Sequence, residues 1–335
     1  MIPYISIKTA NAANYFDSFE LAEDDIERFE ILMEDEYDQE AQDIFMEEFI
    51  TPAALKYQEL MSSYLNQADA GPMRDKDQDK LTRNITLLSL GLSNLLSYNF
   101  NKYLERIHSK FIFDKADIKD KETKKSIADE TISEFDQLIS GTMARTQGFI
   151  ISGIRTLQRE MIAENLLLKN SGISGDLLEA EILRFKESLR IKYPEIYNAA
   201  NKGNLMTTSK FVDGVEVTRH YKLDYYIDLS IRTTLLNIDR NANAISALVN
   251  GENVVEYYLA DPRDVKKDRE LCQKVLATKT NGLSLLALDD DTAKKLGIMT
   301  VDEAKSTPDY CMGPLCRHSI RRCDKKFLRG INNGD

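Results

Sequence analysis

The chain has no tryptophan, and its 335 residues hold only seven prolines, fifteen glycines, three histidines and four cysteines. Each shortage excludes something. Without Trp, the core and any interface lack the largest aromatic anchor. Glycine and proline this sparse rule out a collagen-like or low-complexity chain. The best apolar run, residues 149–154, stops at Arg155, far short of the roughly 20 residues a bilayer crossing needs, so no membrane contact is expected. The opening Met1-Ile2-Pro3-Tyr4 has neither a basic nor an apolar leader segment, which predicts no secretory signal. Four cysteines are too few for a disulfide framework and point to a reducing cytoplasm during assembly. Basic residues, 44 against 55 acidic for a net charge of −11, are too few for a uniformly basic nucleic-acid binder. Phosphate-loop, dinucleotide-fingerprint, zinc-protease and nucleophile-elbow motifs are all missing from the sequence, so nothing in it argues for an enzyme.

What is present is charge segregation and helical periodicity. Residues 1–60 hold sixteen acidic side chains against Lys8, Arg28 and Lys56, whereas the last nineteen carry six basic against two acidic. Such runs are either solvated faces or docking arms for complementary surfaces. Residues 1–16 read as an extended or loosely ordered arm. Residues 17–64 read as acidic helix broken at Thr51-Pro52, where Thr51 can cap and Pro52 suits a first turn. Residues 66–80, with Ala70-Gly71-Pro72 and alternating Lys and Asp, read as a polar linker.

No proline occurs between Pro72 and Pro194, which permits long uninterrupted helices. Ile85, Leu88, Leu92, Leu95, Leu96, Tyr103 and Ile107 mark one amphipathic stripe; Ile127, Phe135, Leu138, Ile139, Ile150, Ile154, Leu157 and Met161 mark a second. The second is expected to end at Gly172, a C-cap glycine, and a third helix to run from about Ser174 until Pro194 stops it. After residue 200 the pattern changes. Two β-prone runs flank Asp213-Gly214, a hairpin signal. A helix is expected over 225–250, a strand over 254–259, short helices over 289–296 and 301–305 with Thr300 as N-cap, and a returning strand over 315–322. The expected fold is mainly α: a long-helix N-terminal domain followed by a small α+β C-terminal module. The divisions are 1–65 (acidic arm and helices), 66–81 (linker), 82–200 (helical domain) and 201–335 (α+β module with a basic tail).

All four cysteines fall after residue 271: Cys272, Cys311, Cys316 and Cys323, with His318 between the last two. Thiolate and imidazole are the ligands of a closed tetrahedral zinc site, so these five residues form a candidate metal set, with zinc as the cofactor. Cys316 and His318, two apart, would share a face of a strand. The competing reading is that they are small buried residues of a compact module.

The run Tyr226-Ile227-Asp228-Leu229-Ser230-Ile231-Arg232-Thr233-Thr234, followed by Arg240-Asn241-Ala242-Asn243-Ala244, resembles the Arg-Thr helix of the tailed-phage minor head proteins. Members of this minor capsid, or Mu-F-like head-morphogenesis, family continue with a strand, an Asp-Arg segment reaching a Cys, and a closing Pro-x-Cys-Arg motif. Here these are residues 254–259, Asp268-Arg269-Glu270-Leu271-Cys272 and Gly313-Pro314-Leu315-Cys316-Arg317-His318-Ser319. The resemblance covers about residues 220–322. The chain departs from the family in having no Cys-x-x-Cys at Cys272 and no His ahead of Pro314 in the closing motif.

The resemblance implies a virion protein held inside the head near the portal, made in the host cytoplasm and acting in head assembly. Its partners would be the portal protein, other capsid proteins and packaged DNA. It implies structural roles for Arg232, Thr233, Arg263 and Arg317, with Arg232 tying its helix to the C-terminal module through Asp261 or Asp268. Arg321, Arg322, Lys325, Lys326 and Arg329 would form the basic tail that faces the genome. The rival classes are a zinc-stabilised nucleic-acid-binding module and an enzyme carried in the virion.

Overall fold

The computed structural model describes residues 1–34, 38–212, 215–259, 279–280, 283–306 and 318–323. Helix dominates. In chain order the helices are α1 (Glu23–Glu34), α2 (Asp38–Phe45), α3 (Thr51–Ala70), α4 (Asp75–Tyr103), α5 (Ser109–Lys115), α6 (Lys121–Ser171), α7 (Asp176–Lys192) and α8 (Pro194–Lys202). The hairpin β1 (Met206–Val212) and β2 (Val215–Tyr221) follows, then α9 (Leu223–Val249) and β3 (Val254–Leu259). The chain goes on through β4 (Lys279–Thr280), β5 (Leu283–Ala287), α10 (Asp290–Leu296), α11 (Val301–Ser306) and β6 (His318–Arg322). The long-helix N-terminal part and the small C-terminal α+β module are both as the sequence predicts. Among the described residues no helix is long and apolar enough to cross a membrane.

Two units divide the chain, and they interleave along it. The first comprises Met1–Asp25, Gln39–Asn99 and Asp136–Asp228; the second comprises Ile26–Asp38, Phe100–Phe135 and Leu229–Asp335. This division does not follow the sequence-derived boundaries at 65, 81 and 200, because α4, α6 and α9 each supply residues to both units. Length explains it: at about 1.5 Å per residue, a helix such as α6 extends well beyond one small core.

In the first unit, residues 66–81 are not a linker. Helix α3 runs to Ala70, α4 starts at Asp75, and Ala68, Met73 and Leu81 are buried. The connection is clamped by the buried Gln158 of α6. Its Nε2 donates to the Ala68 and Gly71 carbonyls (2.8 and 3.1 Å), and its Oε1 accepts from the Met73 amide (2.6 Å). The polar composition of 66–81 masked this, because the stabilising partner comes from another helix.

The N-terminal arm is extended and pinned. Asn165 brackets Ile2 through both its amide and its carbonyl (2.7 and 3.1 Å), Ile5 bridges to Met73, and Ile2, Ile7 and Phe16 are buried. Gly71 permits this approach: a Cβ there would lie 2.7 Å from the Pro3 carbonyl oxygen. Asn99 similarly brackets the arm, accepting from Leu21 N at 2.9 Å and donating to Phe19 O at 2.7 Å.

At Thr51-Pro52 the expected cap and break are absent. A π-helical turn over Met46–Ile50 leads directly into α3, with no side-chain cap. Proline has no N–H to give and its ring crowds the carbonyl four residues back, and a wider turn relieves both. Pro194 begins α8 as well as closing α7, and Gly172 takes the left-handed conformation expected of it.

The second unit holds a four-stranded antiparallel sheet of order β4-β5-β3-β6. One face packs Val255, Tyr257, Leu286 and Ile320 against Ala247 of α9 and Val301 and Ala304 of α11. The other packs Val254, Leu285, Ala287 and Cys323 against Ala293 of α10 and Ile298. Thr300 caps α11 as expected, in a reciprocal pair: its Oγ1 accepts from Glu303 N (3.0 Å) while Glu303 Oε2 accepts from Thr300 N (2.9 Å). The Asp213-Gly214 turn lies outside the described residues, whereas the strands on either side of it pair in full register.

Candidate functional site

A set of buried polar side chains in the second unit lies where α9 meets β6. Alternation and pairing set it up. β6 runs antiparallel to β3, matching Leu259 with His318, Tyr258 with Ser319, Tyr257 with Ile320, Glu256 with Arg321 and Val255 with Arg322. His318 is buried and its ring stacks on Tyr257 at 4.8 Å and 16°.

Arg240 of α9 is only 1% exposed; it lies on the side of the helix that carries Ala247, opposite the buried Ile231, Leu235 and Ile238. Its Nη2 donates to the His318 carbonyl and its Nη1 to Asn237 Oδ1 at 2.8 Å. Beside it, Asp239 accepts from Ser319 Oγ at 2.7 Å and from Asn243 Nδ2 at 3.1 Å. Burial pushes the Asp239 carboxyl above its ordinary range; the Ser319 hydrogen bond and the charges of Lys115 and Arg240 oppose that push. Burial also lowers the Lys305 ammonium, which reaches Asn241 Oδ1 at 3.5 Å. Two adjacent helix residues thus grip two adjacent strand residues, one through the backbone and one through a side chain.

Two arginine–carboxylate forks complete the set. Arg321 donates from Nε and Nη2 to Glu256 (2.9 and 3.0 Å) and lies over the Tyr258 ring at 4.9 Å. Arg322 forks onto the buried Glu252 in the same way, through Nε at 3.0 Å and Nη2 at 2.5 Å. Both guanidinium groups are held more firmly protonated by these hydrogen bonds, and a bidentate fork fixes orientation as well as charge. These two residues, expected as part of a DNA-facing tail, are therefore bound to their own sheet.

The sequence-derived site residues fall as follows. Arg232 and Thr233 are half-buried on α9, and Thr233 Oγ1 bonds back to the Leu229 carbonyl at 2.7 Å. Arg263, Cys272, Cys311, Cys316, Arg317, Lys325, Lys326 and Arg329 lie outside the described residues, as do Asp261 and Asp268. His318 and Cys323 are described, and they do not meet. His318 stacks on Tyr257, whereas Cys323 sits in the apolar cluster on the opposite face, where burial pushes its thiol up to about 12. Among the described residues no three His, Cys, Asp or Glu side chains gather as a metal-binding group.

Asp239, Ser319, Glu252 and Glu256 were not singled out from the sequence. The available signal was the charged pair Asp239-Arg240 in the middle of a helix flanked by Leu235, Ile238 and Ala242, since a charge taken into a core requires a partner. Comparison of the chain with family models, with curated proteins and with solved structures returned no match.

Proposed function

We propose that this chain is a structural protein of a tailed-phage virion, a minor head protein that acts in head assembly beside the portal. The observation that carries the reading is the join between α9 and β6. The stretches that resemble the minor head family, 226–234 with 240–244, 254–259 and the end of the closing motif at His318-Ser319, are dispersed in sequence yet meet: Arg240 donates to the His318 carbonyl, and β3 pairs with β6. A family motif that builds one small module is coherent as a motif. The chemistry of the site agrees: its charged groups are directed at each other and at backbone, an arrangement that fixes shape. Portal and capsid proteins are the proposed partners, with packaged DNA met by the tail residues Lys325, Lys326 and Arg329. The test is co-expression with a portal protein from a phage carrying this chain. Co-purification that survives moderate salt is the expected result. Salt-sensitive retention on DNA with no portal binding, or substrate turnover, would overturn the proposal in favour of a nucleic-acid module or an enzyme.

A further inference from the structure

The extended arm at residues 1–10 lies in a groove of the first unit that reads its main chain. Asn165 of α6 holds the amide and carbonyl of Ile2 (2.7 and 3.1 Å), and the Ile5 amide donates to the Pro72 carbonyl at 2.9 Å. Gln67 Oε1 of α3 accepts from the Lys8 amide at 3.3 Å. At the far end, the Tyr64 hydroxyl accepts from the Ala10 amide (3.0 Å) while Asn84 Nδ2 donates to the Ala10 carbonyl (2.8 Å). Of the arm's side chains, Ile2 and Ile7 are buried, whereas Pro3, Tyr4, Ser6 and Lys8 are exposed. Main-chain brackets with two buried aliphatic anchors five residues apart select an extended peptide, by conformation first and by its anchors second.

The walls of the groove are fixed without the arm. Gln158 of α6 shapes the α3–α4 connection that bridges to Ile5. Tyr64 donates to Asn84 Oδ1 at 2.6 Å, which sets that pair. Gly71 is the telling position. Its backbone is extended (φ 178°), a conformation any residue adopts, so glycine supplies room there and not conformational freedom. Apart from its chain neighbours, the three atoms nearest a Cβ at Gly71 all belong to the arm: the Pro3 carbonyl oxygen at 2.7 Å, Ile5 Cγ2 at 3.2 Å and Ile2 Cγ2 at 3.6 Å. The arm leaves the groove through a turn whose Asn11, Ala13 and Asn14 are exposed, before Phe16 is buried again. We infer that this groove is a peptide-binding site filled in cis by residues 1–10, and that it takes in their place an extended peptide segment with the same pair of aliphatic anchors. Walls organised in advance lower the cost of refilling it. This assignment is independent of any place in a phage head.

The test keeps the whole chain. A specific protease site placed in the 11–14 turn is cut, the arm is washed out, and a fluorescent peptide of residues 1–10, blocked at both ends, is titrated in by anisotropy. The cut chain is expected to keep its helical circular dichroism and to bind the peptide with a dissociation constant between about 1 and 100 µM. The uncut chain should bind at least about tenfold more weakly, because its own arm competes at a high effective concentration. Gly71→Ala should weaken binding at least about tenfold with helical content unchanged, since the added methyl meets the arm's atoms. A peptide carrying Ile2→Asp should lose binding, because it would bury a charge, whereas Tyr4→Ala, at an exposed position, should bind like the natural sequence. Loss of the fold on removing the arm would overturn the inference, since the arm would then be core and not ligand. No binding or exchange up to about 1 mM peptide, equal binding by cut and uncut chains, or indifference to Gly71→Ala would overturn it too. None of these outcomes bears on the portal experiment.

Discussion

His108 illustrates how far burial alone can move a side chain. It lies on the π-helical turn Leu104–His108, fully packed, with the Tyr103 ring 6.0 Å away. Burial pushes its imidazole down to about 4, against a smaller opposing pull from the Leu235 carbonyl. Folded His108 is thus neutral at pH 7, and the unfolded chain takes up its proton first. The contribution to stability is therefore intact above the unfolded value near 6.5 and is lost as pH falls toward 4, by up to about 3 kcal/mol. Urea midpoints measured from pH 7 to 4 should fall more steeply for the wild type than for His108→Gln; parallel slopes would contradict this.

Arg240 sits at the opposite extreme, charged and buried. Its guanidinium reaches the His318 carbonyl and Asn237 together, which a single ammonium cannot reproduce. Arg240→Ala removes a donor from the His318 carbonyl and one of the two cations near Asp239, and should cost about 3 kcal/mol in chemical denaturation. Arg240→Lys should cost less but still be measurable. A loss under about 0.5 kcal/mol for the Ala variant, the range of an ordinary surface substitution, would mean that the join is not a fastening.

At the scale of elements, periodicity made the long helices, the two hairpin strands, β3 and the Thr300 cap legible, because each is written locally in spacing or in a capping pair. The clamps were not legible. Gln158, Asn165 and Asn99 are isolated polar residues on helices, and only the fold reveals that each faces backbone groups distant in sequence. The π-helical turn before Pro52 was missed for a related reason: proline signals a break, but the relief can be a wider turn.

In the site, Arg240, His318 and Ser319 lay within the stretches of family resemblance, whereas Asn237 and Asp239, and the pairing among all five, required tertiary geometry. Gln158 offers the sharpest test at this scale. Gln158→Ala removes three buried hydrogen bonds from the α3–α4 connection, which predicts a loss of about 2–3 kcal/mol. Hydrogen exchange at the Met73 amide should accelerate before that of the α4 core. Uniform acceleration along α4 would instead place Gln158 outside any local clamp.

For the molecule as a whole, the interleaving of two units along one chain has a consequence for how it can be cut. Residues 66–81 and 200–204 would separate domains only if the sequence boundaries held; instead α4, α6 and α9 carry residues of both units. The exposed polarity that suggested a linker belongs to helix ends whose apolar residues are buried, so composition read without tertiary partners gave the wrong seam. Acidic residues described in the first sixty also belong to folded structure: α1 begins with Glu23, Asp24 and Asp25, where negative charge complements the helix N-terminus.

The proposed place of this chain in a phage head is tested most directly by the assembled particle. Quantitative mass spectrometry of purified particles, joined to a density map of the portal vertex, should find the chain in a few copies inside the head beside the portal. Deleting it should yield fewer or misassembled heads. Particles that assemble in normal number and infect normally without it, and that contain none of it when it is expressed, would contradict the account.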